Sequence, residues 1–207
     1  MAHDHDHTEF QPDTEGPDIT ETQMREIALR ELLIEKGVLT ADQIRKQVED
    51  WEQKTPALGA KIVARAWTEP DFKSKLLENG TATIAEYDVG MGDLDLQVIE
   101  NTPDTHNVVV CTLCSCYPRT VLGLPPAWYK SFNYRRRVVR EPRTVLKEFG
   151  TELPDNVEVR VHDSTADLRF LILPMRPDGT DGMSQEELAT LVTRDSMIGV
   201  SLPKVPS

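Results

Sequence analysis

His106-Asn107-Val108-Val109-Val110-Cys111-Thr112-Leu113-Cys114-Ser115-Cys116 joins a β-branched run directly to a cluster of thiols. The residues from His106 to Val110 predict a strand, so the cysteines fall where that strand ends and the backbone turns away. All three cysteines of the 207-residue chain lie in this one stretch, and no distant thiol remains to staple loops together. The cysteines are there for chemistry.

Working outward, strand character also appears at Leu94 to Ile99, Val157 to Val161 and Leu168 to Leu173. Towards the N-terminus the pattern turns helical. Thr20 with Gln23 makes a capping box ahead of Met24, Ile27, Ala28 and Leu32, and Gly37 supplies the stop. Thr40 with Gln43 repeats the box, and Ile44, Val48 and Trp51 trace a narrow stripe of the kind that suits a partner's groove. Shorter helices are predicted over Leu58 to Trp67 and over Pro70 to Leu77, the latter with Thr68 as its cap. Beyond the cysteines, Asn133 to Phe149 reads as a helix interrupted at Pro142, and a last helix starts at Ser184, capped with Glu187. The expected fold is α+β: a helical N-terminal arm followed by a layered α-β-β-α metal-binding domain. Its expected divisions are a flexible His/Asp-rich tail over residues 1–18, the arm over 19–80 and the catalytic domain over 81–207. His3, His5 and His7 could hold a divalent metal weakly, but a solvated tail or an expression tag is the plainer reading.

Composition narrows the function. A net charge of -12 argues against a nucleic-acid or anionic-membrane partner. No window reaches the ~18 continuous apolar residues of a membrane span, and the first residues are not a signal peptide. The expected location is the cytoplasm.

Three thiols so close together can be read as part of a zinc site, as a Cys-x-x-Cys redox pair, or as a claw that also uses backbone atoms. Structural zinc normally takes two separated knuckles, and His106 and His162 form no second one. A redox pair has no place for the extra Cys116. In the claw reading, Cys114 and Cys116 flank Ser115 so tightly that both sulfurs share one metal only if the intervening amide nitrogens turn towards it. An amide gives up its proton only to a strongly polarising ion, which points to trivalent cobalt or iron. Three sulfurs and two amides leave a sixth position open for water or substrate, as Lewis-acid catalysis requires.

Val110 to Cys116, followed by Tyr117-Pro118, resembles the metal-binding signature of nitrile hydratase α subunits. The likeness runs from about Met24 to Val200 and includes Leu58-Gly59-Ala60-Lys61, Val121-Leu122-Gly123-Leu124-Pro125-Pro126-Ala127-Trp128-Tyr129-Lys130, and Leu191 to Val200. The resemblance implies one non-corrin Co(III) ion, because Thr112 stands where that family's cobalt type has threonine and its iron type serine; Fe(III) is the lesser alternative. It implies Cys111, Cys114, Ser115 and Cys116 as metal ligands, with Cys114 oxidised to a sulfinate and Cys116 to a sulfenate. Cys116 and Ser115 become the catalytic residues, acting on a small nitrile to give the amide. The implied partners are a β subunit, whose arginines meet the sulfur oxygens in an (αβ)2 heterotetramer, and an activator or metal-loading protein.

One departure stands out. That family mostly has Tyr-Pro-Trp after the claw, whereas this chain has Tyr117-Pro118-Arg119. Arg119 would bring a cation to the substrate entrance, beside Trp128 as a second pocket candidate. The γ subunit of thiocyanate hydrolase is similar over the same region and shares Tyr-Pro-Arg, so a cobalt subunit that converts thiocyanate to carbonyl sulfide and ammonia is the alternative. A non-enzymatic cobalt carrier is a third reading, which the complete claw disfavours. The run Arg135, Arg136, Arg137, Arg140 and Arg143 reads as a solvated or subunit-facing side. Trp51 and Trp67 read as packing residues, and His106 and His162 as satisfied core or interface histidines.

Overall fold

Every residue of Val108-Val109-Val110 is buried, as expected of a strand covered on both faces. In the computed structural model, which describes residues 20–114 and 116–204, this run lies in a parallel pair. The expected tail and its histidines, with Ser115 of the claw, fall outside the described residues. Four strands are present among them: β1 (Asp95–Glu100), β2 (Thr105–Val110), β3 (Glu158–Asp163) and β4 (Leu168–Leu173). β1 pairs with β4 and β2 with β3, both in parallel, and β2 also lies against β4. Parallel pairing forces a long crossover, and residues 111–157 between β2 and β3 hold the cysteines and four short helices.

The helices are α1 (Glu21–Glu35), α2 (Ala41–Glu52), α3 (Ala57–Thr68), α4 (Pro70–Glu78), α5 (Gly80–Ile84), α6 (Arg119–Leu122), α7 (Ala127–Lys130), α8 (Phe132–Arg137), α9 (Pro142–Glu148), α10 (Gln185–Leu191) and α11 (Arg194–Ile198). Thr20, Thr40 and Ser184 close the capping boxes expected of them. Thr68 does not cap α4. It is the last residue of α3, and its hydroxyl donates back to Ala64 O and Arg65 O, leaving Glu69 as an N-cap without a side-chain bond. Thr193 and Ser196 form a further capping box on α11.

The chain divides into two units, the first ending at Gln53 and the second beginning at Lys54. The first contains α1 and α2, and neither helix has a buried residue. α3 and α4 belong to the second unit. α3 buries Gly59, Ala60, Ile62, Val63, Ala64 and Ala66, packing on α10, α4 and α6, while α4 packs on β1. One apolar cluster gathers these helices, all four strands and α11. No helix among the described residues is long and apolar enough to cross a membrane.

A buried polar chain runs under β2. Asn101 Oδ1 accepts from Asn107 N at 2.8 Å and from its Nδ2 at 3.0 Å, so the Asn101 amide group must face His106 Nδ1, at 3.2 Å. The neutral His106 ring then donates from Nε2 to Gly199 O at 2.7 Å. Gly199 has φ +91°, and a Cβ there would overlap the carbonyl oxygen of Asn107. Gly199→Ala is expected to destabilise the fold by at least about 2 kcal/mol, from the left-handed backbone and the overlap together. A wild-type denaturation midpoint in that variant would contradict this packing.

Burial holds the His106 pKa below its ordinary value of 6.5, against the bond to Gly199, which favours the charged ring. His162, which donates from Nε2 to Asn107 Oδ1 at 2.8 Å, is lowered by burial and then by the charge of Arg160. Both rings therefore bind protons more weakly in the folded chain than in the unfolded one. Their stabilisation is present above the unfolded value and is lost as the pH falls through the folded value. Thermal unfolding between about pH 7.5 and about pH 5.5 is expected to show a shallower loss of Tm in His106→Gln than in the unaltered protein; equal slopes would exclude His106 as a contributor.

Candidate metal centre

β2 ends at Val110, which lies in register with Asp163 at the end of β3. The next residue, Cys111, is 1% exposed, so the strand delivers its sulfur into the core while the chain beyond it turns outward. Asp163 governs that turn. Its carboxylate accepts the Thr112 backbone N–H at 2.9 Å and the Thr112 hydroxyl at 2.5 Å. The loop is reversed by a charge-assisted grip on the residue after the buried cysteine. Leu113 at the tip is 87% exposed.

The reversal brings the three sulfurs within 4.8 Å of one another. Cys111 Sγ stands 3.4 Å from Cys114 Sγ, which stands 3.2 Å from Cys116 Sγ, and none of the three is in a disulfide. The Cys114 N–H points at Cys111 Sγ, 3.3 Å away. No helix begins at the cysteines; α6 starts only at Arg119, so the strand-to-helix setting of a thioredoxin-like pair is missing. No His, Asp or Glu joins the sulfurs as a fourth side-chain ligand among the described residues. The donor set fits a thiophilic metal and lacks the fourth side chain of structural zinc.

Burial, reinforced by hydrogen bonds from Cys114 and Cys111, pushes the Cys116 thiol up to about 12, against the charge of Arg169. Arg169 is anchored by the carbonyls of Thr165, Ala166 and Leu168. On the side facing the core, Tyr129 donates its hydroxyl to Cys116 O at 2.8 Å, and Tyr134 donates to Val109 O at 2.7 Å. Burial raises the pKa of both phenols, which keeps them donors. Tyr117 packs its ring edgewise on Tyr129 with centroids 5.1 Å apart.

The other expected site residues are spread around this cluster. Arg119 is exposed at the start of α6, and its side chain makes no ion pair among the described residues. Trp128 is half-buried in an aromatic group with Tyr134 and Phe149, centroids 4.9 Å and 4.7 Å away, so packing accounts for its position. In the arginine run, Arg137 pairs with Glu141 and Glu148, and Arg143 binds backbone carbonyls from Leu153 to Val157. Arg135 differs: it reaches Thr112 O at 3.4 Å, beside the claw. Asp163, Tyr129, Tyr134 and Arg169 carry no local sequence signal of their roles, since each reaches the cysteines through a distant stretch of chain.

Comparison with known proteins agrees with this geometry. The chain is 56% identical over 182 residues to the cobalt-containing nitrile hydratase subunit alpha of Pseudonocardia thermophila, covering 86% of this chain and 88% of that one. It is 42% identical to the thiocyanate hydrolase subunit gamma of Thiobacillus thioparus, covering 90% of this chain and 82% of the relative. Among solved structures, a double mutant of the Fe-type nitrile hydratase from Comamonas testosteroni Ni1 superposes with a TM-score of 0.84 at 42% identity, covering 90% of this chain and 94% of that one. Residues 20–201 match the family model described as nitrile hydratase, alpha chain, and the chain belongs to that family.

Proposed function

We propose that this chain is the metal-bearing α subunit of a nitrile hydratase, adding water across the carbon–nitrogen triple bond of small nitriles to give amides. The observation that carries the reading is the meeting of three sulfurs within 4.8 Å in a loop with no fourth side-chain ligand among the described residues. Backbone donors would complete such a set, and in the sequence the amides of Ser115 and Cys116 come between the last two sulfurs. Relatives named as cobalt-containing support Co(III) as the ion, in preference to Fe(III).

In this reading Cys111, Cys114 and Cys116 hold the ion with the Ser115 and Cys116 amides. Cobalt supplies Lewis acidity that polarises the nitrile. Cys111, buried, stays a thiolate. Cys114 and Cys116, which are more exposed, are the positions that an external oxidant such as dioxygen would take to sulfinate and sulfenate, respectively. The Cys116 sulfenate oxygen would attack the nitrile carbon, and water, oriented by Ser115, would then add to that carbon and expel the sulfenate unchanged, its hydrogens passing to oxygen and nitrogen to give the amide. Asp163 and Tyr129 hold the main chain on either side of the reacting group. Oxidised sulfurs need cationic partners beyond those of this chain, which the arginines of a β subunit supply. The unburied helices α1 and α2, with Met24, Leu29, Leu32 and Val48 exposed, suit an arm laid on that subunit. An (αβ)2 assembly, a metal-loading partner, a cytoplasmic setting and an α-β-β-α layering of the catalytic domain complete the proposal.

A second reading rests on Arg119. Exposed, without an ion pair among the described residues and three positions beyond Cys116, it suits an anionic substrate such as thiocyanate. Supplying the cobalt-loaded complex with small nitriles and with thiocyanate separates the two. Amide formation without thiocyanate turnover is the expected result; carbonyl sulfide and ammonia from thiocyanate, lost in Arg119→Ala, would establish the second reading. Cys116→Ser is expected to abolish amide formation even when metal analysis shows cobalt retained, and retained activity would remove Cys116 from the nucleophile's role.

A further inference from the structure

The arginines on and after α8 are used unevenly. Arg137 meets the carboxylates of Glu141 and Glu148, and Arg143 is held by carbonyls between Leu153 and Val157. Arg135, half-buried, makes no ion pair among the described residues of a chain whose net charge is -12. Its Nε is buried without a hydrogen-bond partner among them, and its Nη1 donates to Thr112 O, 3.4 Å away. The guanidinium carbon lies 5.7 Å from the centre of the Phe132 ring, one turn back on the same helix, and Phe132 is 52% exposed. A partly buried cation without an anion costs free energy, so the group it faces has to account for it.

That group is the claw. Tyr134, the preceding residue, donates its hydroxyl to Val109 O at 2.7 Å, so consecutive residues of α8 bind the carbonyls of Val109 and Thr112 on either side of Cys111. Asp163 takes the N–H and the hydroxyl of the same threonine. Thr112 is thereby held from β3 through its donors and from α8 through its acceptor. The thiolates of Cys111, Cys114 and Cys116 and the two amide anions between them outweigh one trivalent ion and leave the loaded claw negative, whereas the same groups as thiols and amides are neutral. A guanidinium beside Thr112 favours the first state over the second.

We propose that Arg135 is a positioning residue of the metal centre: through Thr112 it fixes the loop next to Cys111, and its charge offsets the negative charge of the loaded claw, with the Phe132 ring as its support. The proposal rests on the metal-claw reading given above and adds to it a cation supplied by this chain.

The test uses the complex with its partner subunit, metal-free and cobalt-loaded, and compares Arg135→Gln, which keeps a donor without the charge, with Arg135→Lys, which keeps the charge. Arg135→Gln is expected to hold the Tm of the metal-free complex within about 1 °C of the unaltered protein and to lower that of the loaded complex by about 3 °C. The same variant should take up at least about fivefold less cobalt from limiting metal. Its sulfur-to-cobalt absorption should move to longer wavelength, since the sulfur electrons are less firmly held. Arg135→Lys should recover most of the Tm, the uptake and the band position. Equal Tm losses in the metal-free and loaded states would make Arg135 a structural contact only and overturn the proposal, as would no change in either state or a Lys variant no better than the Gln variant. Should Arg135→Gln fail to assemble, Arg135→Met, which is also uncharged, is read in the same two states. An unaltered complex that takes up no cobalt would overturn the functional reading and this proposal together, whereas normal cobalt in the unaltered complex with no charge effect at Arg135 overturns this proposal alone.

Discussion

The bidentate grip of Asp163 on Thr112 is the contact on which the geometry of the claw depends. It closes a loop that begins with a fully buried sulfur and ends with a partly exposed one, over a span too short to form secondary structure of its own. A charge-assisted pair of hydrogen bonds is about twice as strong as a neutral pair, and this one fixes both the backbone and the side chain of the residue between the first sulfur and the exposed tip. The grip exists because β2 and β3 run parallel in a register that sets Val110 against Asp163. A slip of one residue would turn every side chain of β2 over and carry the cysteines away from the carboxylate. The polar chain from Asn101 through His106 to Gly199 resists such a slip, since its partners fit only one register.

Behind the loop the chain is built from donors rather than bulk. Tyr129 and Tyr134 present hydroxyls to the carbonyls of Cys116 and Val109, and their rings pack with Trp128 and Phe149 into one aromatic wall. Such an arrangement preorganises the main chain, so an ion entering it need not order the loop at its own expense. The front is the opposite: Leu113, Cys114 and Thr112 are exposed. A Lewis-acid centre with its substrate side this open gains its exclusion of water from whatever covers it, which is why the functional reading requires a second subunit.

Much of this was legible in the sequence for physical reasons that hold locally. Capping boxes at Thr20, Thr40 and Ser184 depend on residues three apart, and the strand from Leu168 to Leu173 is apolar but for Arg169; the structure realises each. The spacing of Cys111, Cys114 and Cys116 marks them as one cluster, and the grip of Asp163 on Thr112 completes their gathering. Short elements were not legible. α5, α6, α7 and α11 have five residues or fewer, too few to show a period, and Thr68 misled because a threonine before a proline-led helix also ends the helix before it. Nor did the sequence mark Asp163 or Tyr129 as neighbours of the claw, because parallel pairing brings the first in from far along the chain and the crossover folds the second back onto Cys116. α3 is apolar enough to bury six residues, whereas α1 and α2 bury none.

The central claim is that three sulfurs and the amides between them hold one cobalt ion. X-ray absorption at the cobalt edge of the purified complex tests it most directly. The account predicts a six-coordinate, low-spin trivalent ion with three sulfur neighbours, the others being nitrogen or oxygen. A tetrahedral divalent ion, or a shell without sulfur, would contradict it.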